Sequence, residues 1–508
     1  MNDTTKQVTQ EADDSYGHVL KYTGLFGGVQ GLNILISLVR NKIVAYLLGP
    51  GGMGLVSLFN STVGFISQAT NLGVSFSAVR HVSELFDSGD EQRILHFIKV
   101  VRAWELLTAL MGMLLCMVAG PLLSNYTFSW GDHTLHFVFL APAVGLLAVS
   151  GGEMAILKGA RQLKSLAVVQ IYSVLVSLII SVPIYYFFGQ AGIVPVIVLM
   201  ALFTTVFTVR RSLQLYPLQL SGSQGVLGEG MEMVRLGVAF VLAAVLGSGA
   251  DMLVRSYLNV QGDLDVVGLY NVGFTLTMIY GGLIFTAQDS DYFPRLSGVS
   301  HDVAMANQTV NRQIEVTVLL IGPMLVAMLF AAPVLIPLLF TREFLPVVDM
   351  MRFTTLALYF RAVKLPVCYM PLARGDGRSY LLIEGLYAFY MVALVMVGYS
   401  LWGLTGTGMG LLAASMVEFV LINVFTWFRY HYRPTSTVFI YSGIHFAMGL
   451  LSFLLVYQLD GWLYWLAGVG MTLLSLAYSV AILRSKSRLW AKLKAKFLTF
   501  LPFIHQDS

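Results

Sequence analysis

Residues 165–188 read SLAVVQIYSVLVSLIISVPIYYFF, residues 189–192 read GQAG, and residues 193–211 read IVPVIVLMALFTTVFTVRR. Each apolar run is about as long as the roughly 20 residues a helix needs to cross a bilayer. Lipid offers no partner to backbone N–H and C=O groups, so a run of this kind is satisfied only as a helix. The short GQAG link returns the chain at once. The stretch therefore predicts a membrane hairpin closed at its cytoplasmic end by Arg210 and Arg211.

The same reading repeats along the chain. Spans are expected near 18–47, 52–80, 94–118, 134–157, 165–188, 192–212, 232–258, 264–287, 311–339, 350–373, 379–401, 405–430, 437–458 and 462–483. Composition agrees, since 57% of the 508 residues are hydrophobic, 11% are charged, and mean hydropathy is +0.75. Soluble domains carry about 25% charged residues. So few charges cannot cover a globule of this size with solvated surface. The fold class is all-α integral membrane, with about 14 transmembrane helices.

Alternate loops carry the cations: Arg80 and Arg93; Lys158, Arg161 and Lys164; Arg210 and Arg211; Arg295; Arg374 and Arg378; Arg429 and Arg433; then Arg484 through Lys496. The loops between them are almost bare, and only Arg342 and Arg352 break the pattern. Lys and Arg gather on the cytoplasmic side, so both termini are expected there. The polar start, Met1 to Tyr16, has Glu11, Asp13 and Asp14 and no basic segment, unlike a cleaved signal peptide. The tail from Arg488 interleaves Lys with Leu, Trp and Phe, which suits a helix lying in the cytoplasmic interface.

A faint repeat divides the chain. Leu38-Val39-Arg40 recurs as Leu253-Val254-Arg255, Gly54-Leu55 as Gly268-Leu269, Ala119-Gly120-Pro121 as Ala331-Ala332-Pro333, Gly159 as Gly375, and Gly189 with Gly192 as Gly403 with Gly406. The nearly constant offset predicts two parallel six-helix lobes plus two C-terminal helices. The expected segments are a cytoplasmic tail over 1–17, an N-lobe over 18–216 and a C-lobe over 229–430. Helices 13 and 14 follow over 436–485, then a basic amphipathic tail over 486–508. Lobes containing an even number of helices share one orientation, with a pseudo-two-fold axis along the membrane normal and a cavity between them.

Zinc, redox and Walker-type signatures are missing: the sequence has no CxxC, HExxH or GxxxxGK[ST]. Cys116 and Cys368 stand alone in apolar runs and read as small buried hydrophobes. No catalytic residue, metal, cofactor or nucleic-acid partner is expected.

Several motifs carry a resemblance. Lys42-Ile-Val-Ala45-Tyr-Leu-Leu-Gly49-Pro50-Gly51-Gly52-Met-Gly54-Leu closes the first helix, and Arg255 is followed by Asp265-Val-Val-Gly268-Leu-Tyr270-Asn. With Leu157-Lys-Gly159-Ala-Arg161, Tyr292-Phe293-Pro294-Arg295-Leu296-Ser297, Phe340-Thr-Arg-Glu343-Phe344 and Arg374-Gly-Asp-Gly-Arg378, the chain resembles the polysaccharide flippases of the MOP superfamily. The closest type is the Wzx-like O-antigen or lipid III flippase. The resemblance implies transport of a polyprenyl-diphosphate-linked oligosaccharide across the bacterial inner membrane by alternating access. It further implies membrane lipids, and a polysaccharide polymerase and glycosyltransferases, as partners.

A charge at mid-bilayer costs about 2.5–3.5 kcal/mol, so it usually has a partner or a wet cavity. The cations inside the spans are Arg40, Lys42, Arg255, Arg361 and Lys364; the acids of most interest are Glu105, Asp251, Glu384 and Glu418. A diphosphate suits guanidinium forks. Arg40 and Arg255 occupy repeat-matched positions, which sets them opposite each other across the expected cavity. The competing placement is the outer interface, with the side chains snorkelling to headgroups. Arg40 lies about 28 Å along the helix from Lys21, consistent with that depth. Asp251 and Arg255 are four apart and able to pair. Arg361 and Lys364 share a face before Pro366, which is expected to kink the helix. Glu384, Glu418 and Asp251 are the ion-coupling candidates, with buried hydrogen-bonded packing as the alternative.

Three other readings fit less well. A MATE-type multidrug or small-molecule exporter has no need of matched arginines. A major-facilitator carrier expects Gly-x-x-x-Asp-Arg after helix two, where this chain has Ser77-Ala-Val-Arg80-His81. A membrane glycosyltransferase or ligase needs a large outer loop with catalytic carboxylates, so the chain is not expected to be an enzyme.

Overall fold

The computed structural model describes residues 3–127, 132–218 and 226–486, with side chains from Gly31 onward apart from 87, 163, 226–227, 232–240, 280, 283–284, 286–291 and 486. The expected amphipathic tail from Arg488 lies outside the described residues. The helices are α1 (Asp3–Thr70), α2 (Val74–Ser88), α3 (Glu91–Val118), α4 (Gly120–Thr127), α5 (Thr134–Gly159), α6 (Leu163–Phe188), α7 (Ile193–Leu215), α8 (Val226–Glu229), α9 (Met231–Gln261) and α10 (Leu264–Phe274). They continue as α11 (Leu283–Val299), α12 (Val303–Leu339), α13 (Val347–Ala373), α14 (Gly377–Tyr430), α15 (Ser436–Gln458) and α16 (Gly461–Lys486).

Ten described stretches are long and apolar enough to cross a membrane. Three are of double length, Gly31–Thr70, Lys164–Leu215 and Gly377–Tyr430. Each is broken once, at Gly49 (φ 65°), Gly189 (φ 54°) and Gly403 (φ 58°), where only glycine takes a left-handed φ without strain. Counting both arms of each, and the α10–α11 stretch joined by a π-helical turn at Thr275–Tyr280, the protein has the expected fourteen helices. Large apolar side chains such as Phe389 (76% exposed) and Phe428 (77%) point outward, as a multi-pass membrane protein requires of its lipid face.

The sequence repeat has a backbone counterpart. Gly189 and Gly403, repeat-matched, both reverse the chain with nearly the same angles (ψ −132° and −143°). The second expected span does not run to residue 80. It stops at Thr70, because Leu72 (φ 51°) and Gly73 (φ 77°) turn left-handed before α2 begins. An apolar window cannot register a break two residues wide. At Pro366, where a kink was expected, α13 continues as one helix.

Contacts divide the chain into two units, Met1–Leu269 with Leu338–Phe344, and Tyr270–Pro337 with Leu345–Ser508. This division falls at a different place from the six-helix repeat, because α9 packs on α1, α2 and α4 within the first unit. The reach of the second arm of α1 to α10 depends on glycine. A Cβ on Gly54 would strike the Leu264 carbonyl oxygen, and one on Gly268 would strike that of Pro50. In the same unit, α5 packs against α3, α7 and α2 around Val101, Trp104 and Ile156. In the second unit α13 lies along α14 and α15. Phe330 of α12 receives Tyr464 of α16, whose hydroxyl donates to the Phe330 carbonyl at 2.7 Å.

Candidate functional site

In the second unit the expected ionisable residues come together. Lys364 on α13 is ion-paired with Glu418 on α14, and both are buried. The Lys364 ammonium also sits 4.5 Å from the Tyr387 ring centroid, a cation–π contact strengthened where water is excluded. Arg361, one turn earlier, donates from Nη1 to the Met278 carbonyl at 3.2 Å, and its guanidinium lies 5.6 Å from the Phe285 ring. Met278 belongs to the π-helical turn, a distortion often found at functional sites. Glu384 is half-buried and within Coulombic reach of Lys364 and Arg361. Two cations and two carboxylates therefore share one polar patch among apolar helices. At one edge Tyr292 donates to the Pro366 carbonyl at 2.7 Å.

A groove of about 570 Å³ adjoins this patch, walled by Phe360, Val363, Phe419, Trp427, Phe439 and Phe446. Its walls neighbour Arg361, Lys364 and Glu418 in sequence, so one helical step separates a mostly apolar surface, broken by Asn423 and Ser442, from the charged one.

In the first unit the expected cations have separate partners. Arg255 is buried and ion-paired with Asp251, as their spacing allows; it also donates from Nε to Ser57 Oγ at 2.7 Å and from Nη1 to the Asp251 carbonyl at 3.2 Å. Lys42 donates to the Leu338 carbonyl at 2.6 Å. Arg40 donates to Ser181 Oγ at 3.3 Å and lines a cavity of about 220 Å³ with Asn60, Tyr185 and Thr204. Arg40 and Arg255 both belong to the first contact unit. Their grouping follows the packing of α9 on α1.

One polar cluster went unread in the sequence. Arg102 on α3 holds Glu153 on α5 with two hydrogen bonds, at 2.7 and 3.3 Å, and reaches Ser212 on α7 at 3.3 Å. Arg102 and Glu153 stand near the expected cytoplasmic ends of their spans, where charge is ordinarily solvated. Their burial depends on the neighbouring helices.

At the rim of the second unit Asp376 caps α14, accepting from Ser379 N at 3.1 Å, Ser379 Oγ at 2.8 Å and Tyr430 Oη at 2.9 Å. Partial burial raises its pKa, but the Ser379 and Tyr430 bonds, with Arg429 nearby, outweigh this and hold it below the usual value. Cys116 and Cys368 are free and buried.

The family model described as polysaccharide biosynthesis protein matches residues 43–349, more than half of the chain. The chain belongs to that family. Among solved structures, an inward-facing multidrug resistance MATE family transporter of the MOP superfamily is similar with a TM-score of 0.67 at 16% identity, over 78% of this chain and 94% of that one. The lipid II flippase MurJ, in an inward closed conformation, matches with a TM-score of 0.67 at 14% identity, over 91% of this chain and 99% of that one. A MOP superfamily transporter from Pyrococcus furiosus reaches 0.58 at 15% identity, over 81% and 94%. At these identities the likeness is one of fold, and the fold is that of MOP transporters. No curated protein matches the sequence.

Proposed function

We propose that this family member is a flippase that moves polyprenyl-diphosphate-linked oligosaccharide repeat units across the bacterial cytoplasmic membrane by alternating access. The observation that carries the reading is the buried Lys364–Glu418 pair beside Arg361 and Glu384. A lone buried charge is costly, while a paired one can change partners at modest cost. A diphosphate arriving at Lys364 and Arg361 replaces Glu418 and Glu384 as counter-charge. Each carboxylate then takes a proton or turns to water, which makes these acids the ion-coupling groups. Arg255 with Asp251 is a second exchangeable pair, with Lys42 and Arg40 as further cations for the anionic headgroup. The apolar groove adjoining the patch suits an isoprenoid chain that stays in lipid while the headgroup crosses.

The alternative is a MATE-type multidrug or small-molecule exporter. Buried cations favour an anionic cargo, and the match to the lipid II flippase spans more of this chain than the match to the multidrug transporter. Both termini in the cytoplasm, O-antigen or another surface glycan as product, and a polymerase and glycosyltransferases as partners belong to the same proposal. Deleting the gene tests it. Lipid-linked repeat units should accumulate on the cytoplasmic face and surface glycan should disappear; unchanged surface glycan would remove the reading.

A further inference from the structure

We propose that Glu105 is a proton-binding site in the first unit, set beside the Arg102–Glu153 pair. It stands apart from the acids near Lys364 and Arg255, and its test does not depend on the identity of the transported molecule.

Glu105 is 2% exposed, and its Oε1 has no hydrogen-bond partner. The carboxyl group presses on the backbone of α5, where a Cβ on Gly152 would overlap it. Gly152 precedes Glu153, so two carboxyl groups stand beside one guanidinium. That guanidinium is already committed, with Nε on Glu153 Oε1 and Nη2 on Glu153 Oε2 and Ser212 Oγ. Glu153 and Arg102 are the charged groups that act on Glu105.

The charge count decides its state. With both carboxyls ionised, the cluster holds one uncompensated negative charge inside a membrane-spanning bundle. Burying an unpaired carboxylate is far more costly than binding a proton, so the group takes the proton instead. Arg102 and Glu153 satisfy each other, which leaves Glu105 as the neutral acid. Glu153 lies six residues before the end of α5, about 9 Å along the axis. That end is the one the loop charges assign to the cytoplasm, so the cluster stands toward the expected source of protons. Water reaching Glu105 would release the proton and leave a charge that the closed packing against Gly152 does not accommodate. Proton occupancy and helix packing at α3 and α5 are thus coupled.

Infrared spectroscopy of the purified full-length protein in lipid vesicles tests this, because a protonated carboxyl group has a C=O stretch separate from carboxylate bands. At neutral pH the wild-type minus Glu105→Gln difference should contain that stretch, and the band should fade on alkalinisation. Glu105→Gln is the isostere of the neutral acid and should be recovered as folded protein. If it is not, Glu105→Asp must shift the same band. No difference band at neutral pH would mean that Glu105 is ionised, and a band indifferent to alkalinisation would mean a locked structural acid; either result overturns the proposal.

Discussion

Lys364 and Glu418, on adjacent membrane helices, neutralise each other in a place where neither has access to bulk water. The pair concentrates opposite charges on α13 and α14, with Arg361 and Glu384 beside it. An isolated charge there would be unstable, and a pair with a polarisable Tyr387 face next to it is ready for exchange.

Removing one partner should therefore cost more than removing both. Lys364→Met alone leaves Glu418 buried and uncompensated, a loss of about 3–5 kcal/mol. The double variant Lys364→Met with Glu418→Leu should recover most of the melting temperature in detergent while glycan export stays abolished. Export restored along with stability would show that the pair is only structural.

Arg255 should show a different pattern. Arg255→Lys keeps the charge but loses the fork that reaches Ser57 and Asp251 together. Surface glycan should fall about tenfold or more, with expression level unchanged. Asp251→Asn, which frees Arg255 from its ion pair, should be milder. Equal glycan in all three proteins would detach Arg255 from transport.

The close approach at Gly54 is sensitive to a single methyl group. Gly54→Ala meets the Leu264 carbonyl oxygen, so it should destabilise by about 1–3 kcal/mol or more. Gly470→Ala, where a Cβ meets nothing within 4 Å, should be neutral or stabilising by about 0.5–1 kcal/mol through helix propensity. Thermal unfolding of the two variants side by side separates backbone crossing from helix propensity.

Asp376 gives a pH-dependent prediction at the membrane rim. Its folded pKa is depressed, so its stabilising effect is present above the unfolded value, about 3.9, and is lost as pH falls through the lower folded value. Asp376→Asn retains a capping acceptor and removes the charge. Wild type should melt higher than this variant near neutrality, and the gap should close under acid conditions. A gap that widens on acidification would reverse the assigned sign.

Much of the architecture was legible because lipid makes a simple demand. Every backbone polar group in the bilayer must bond within its own segment, so apolar length alone reveals a helix. The tight reversals at Gly189 and Gly403 were legible because turns that need a left-handed φ need glycine. The break at Leu72–Gly73 was not, since it falls within an apolar run.

The sequence by itself determined the fourteen helices, the tight glycine reversals between them and which charges are costly enough to require partners. Only the tertiary structure decided who those partners are: Glu418 for Lys364, the π-turn carbonyl of Met278 for Arg361, and Glu153 for Arg102, with Glu105 left over. The physical reason is rotational. Hydropathy fixes where a helix lies along the membrane normal, but the angle about its own axis is set by packing against neighbours. That angle selects which buried charges meet.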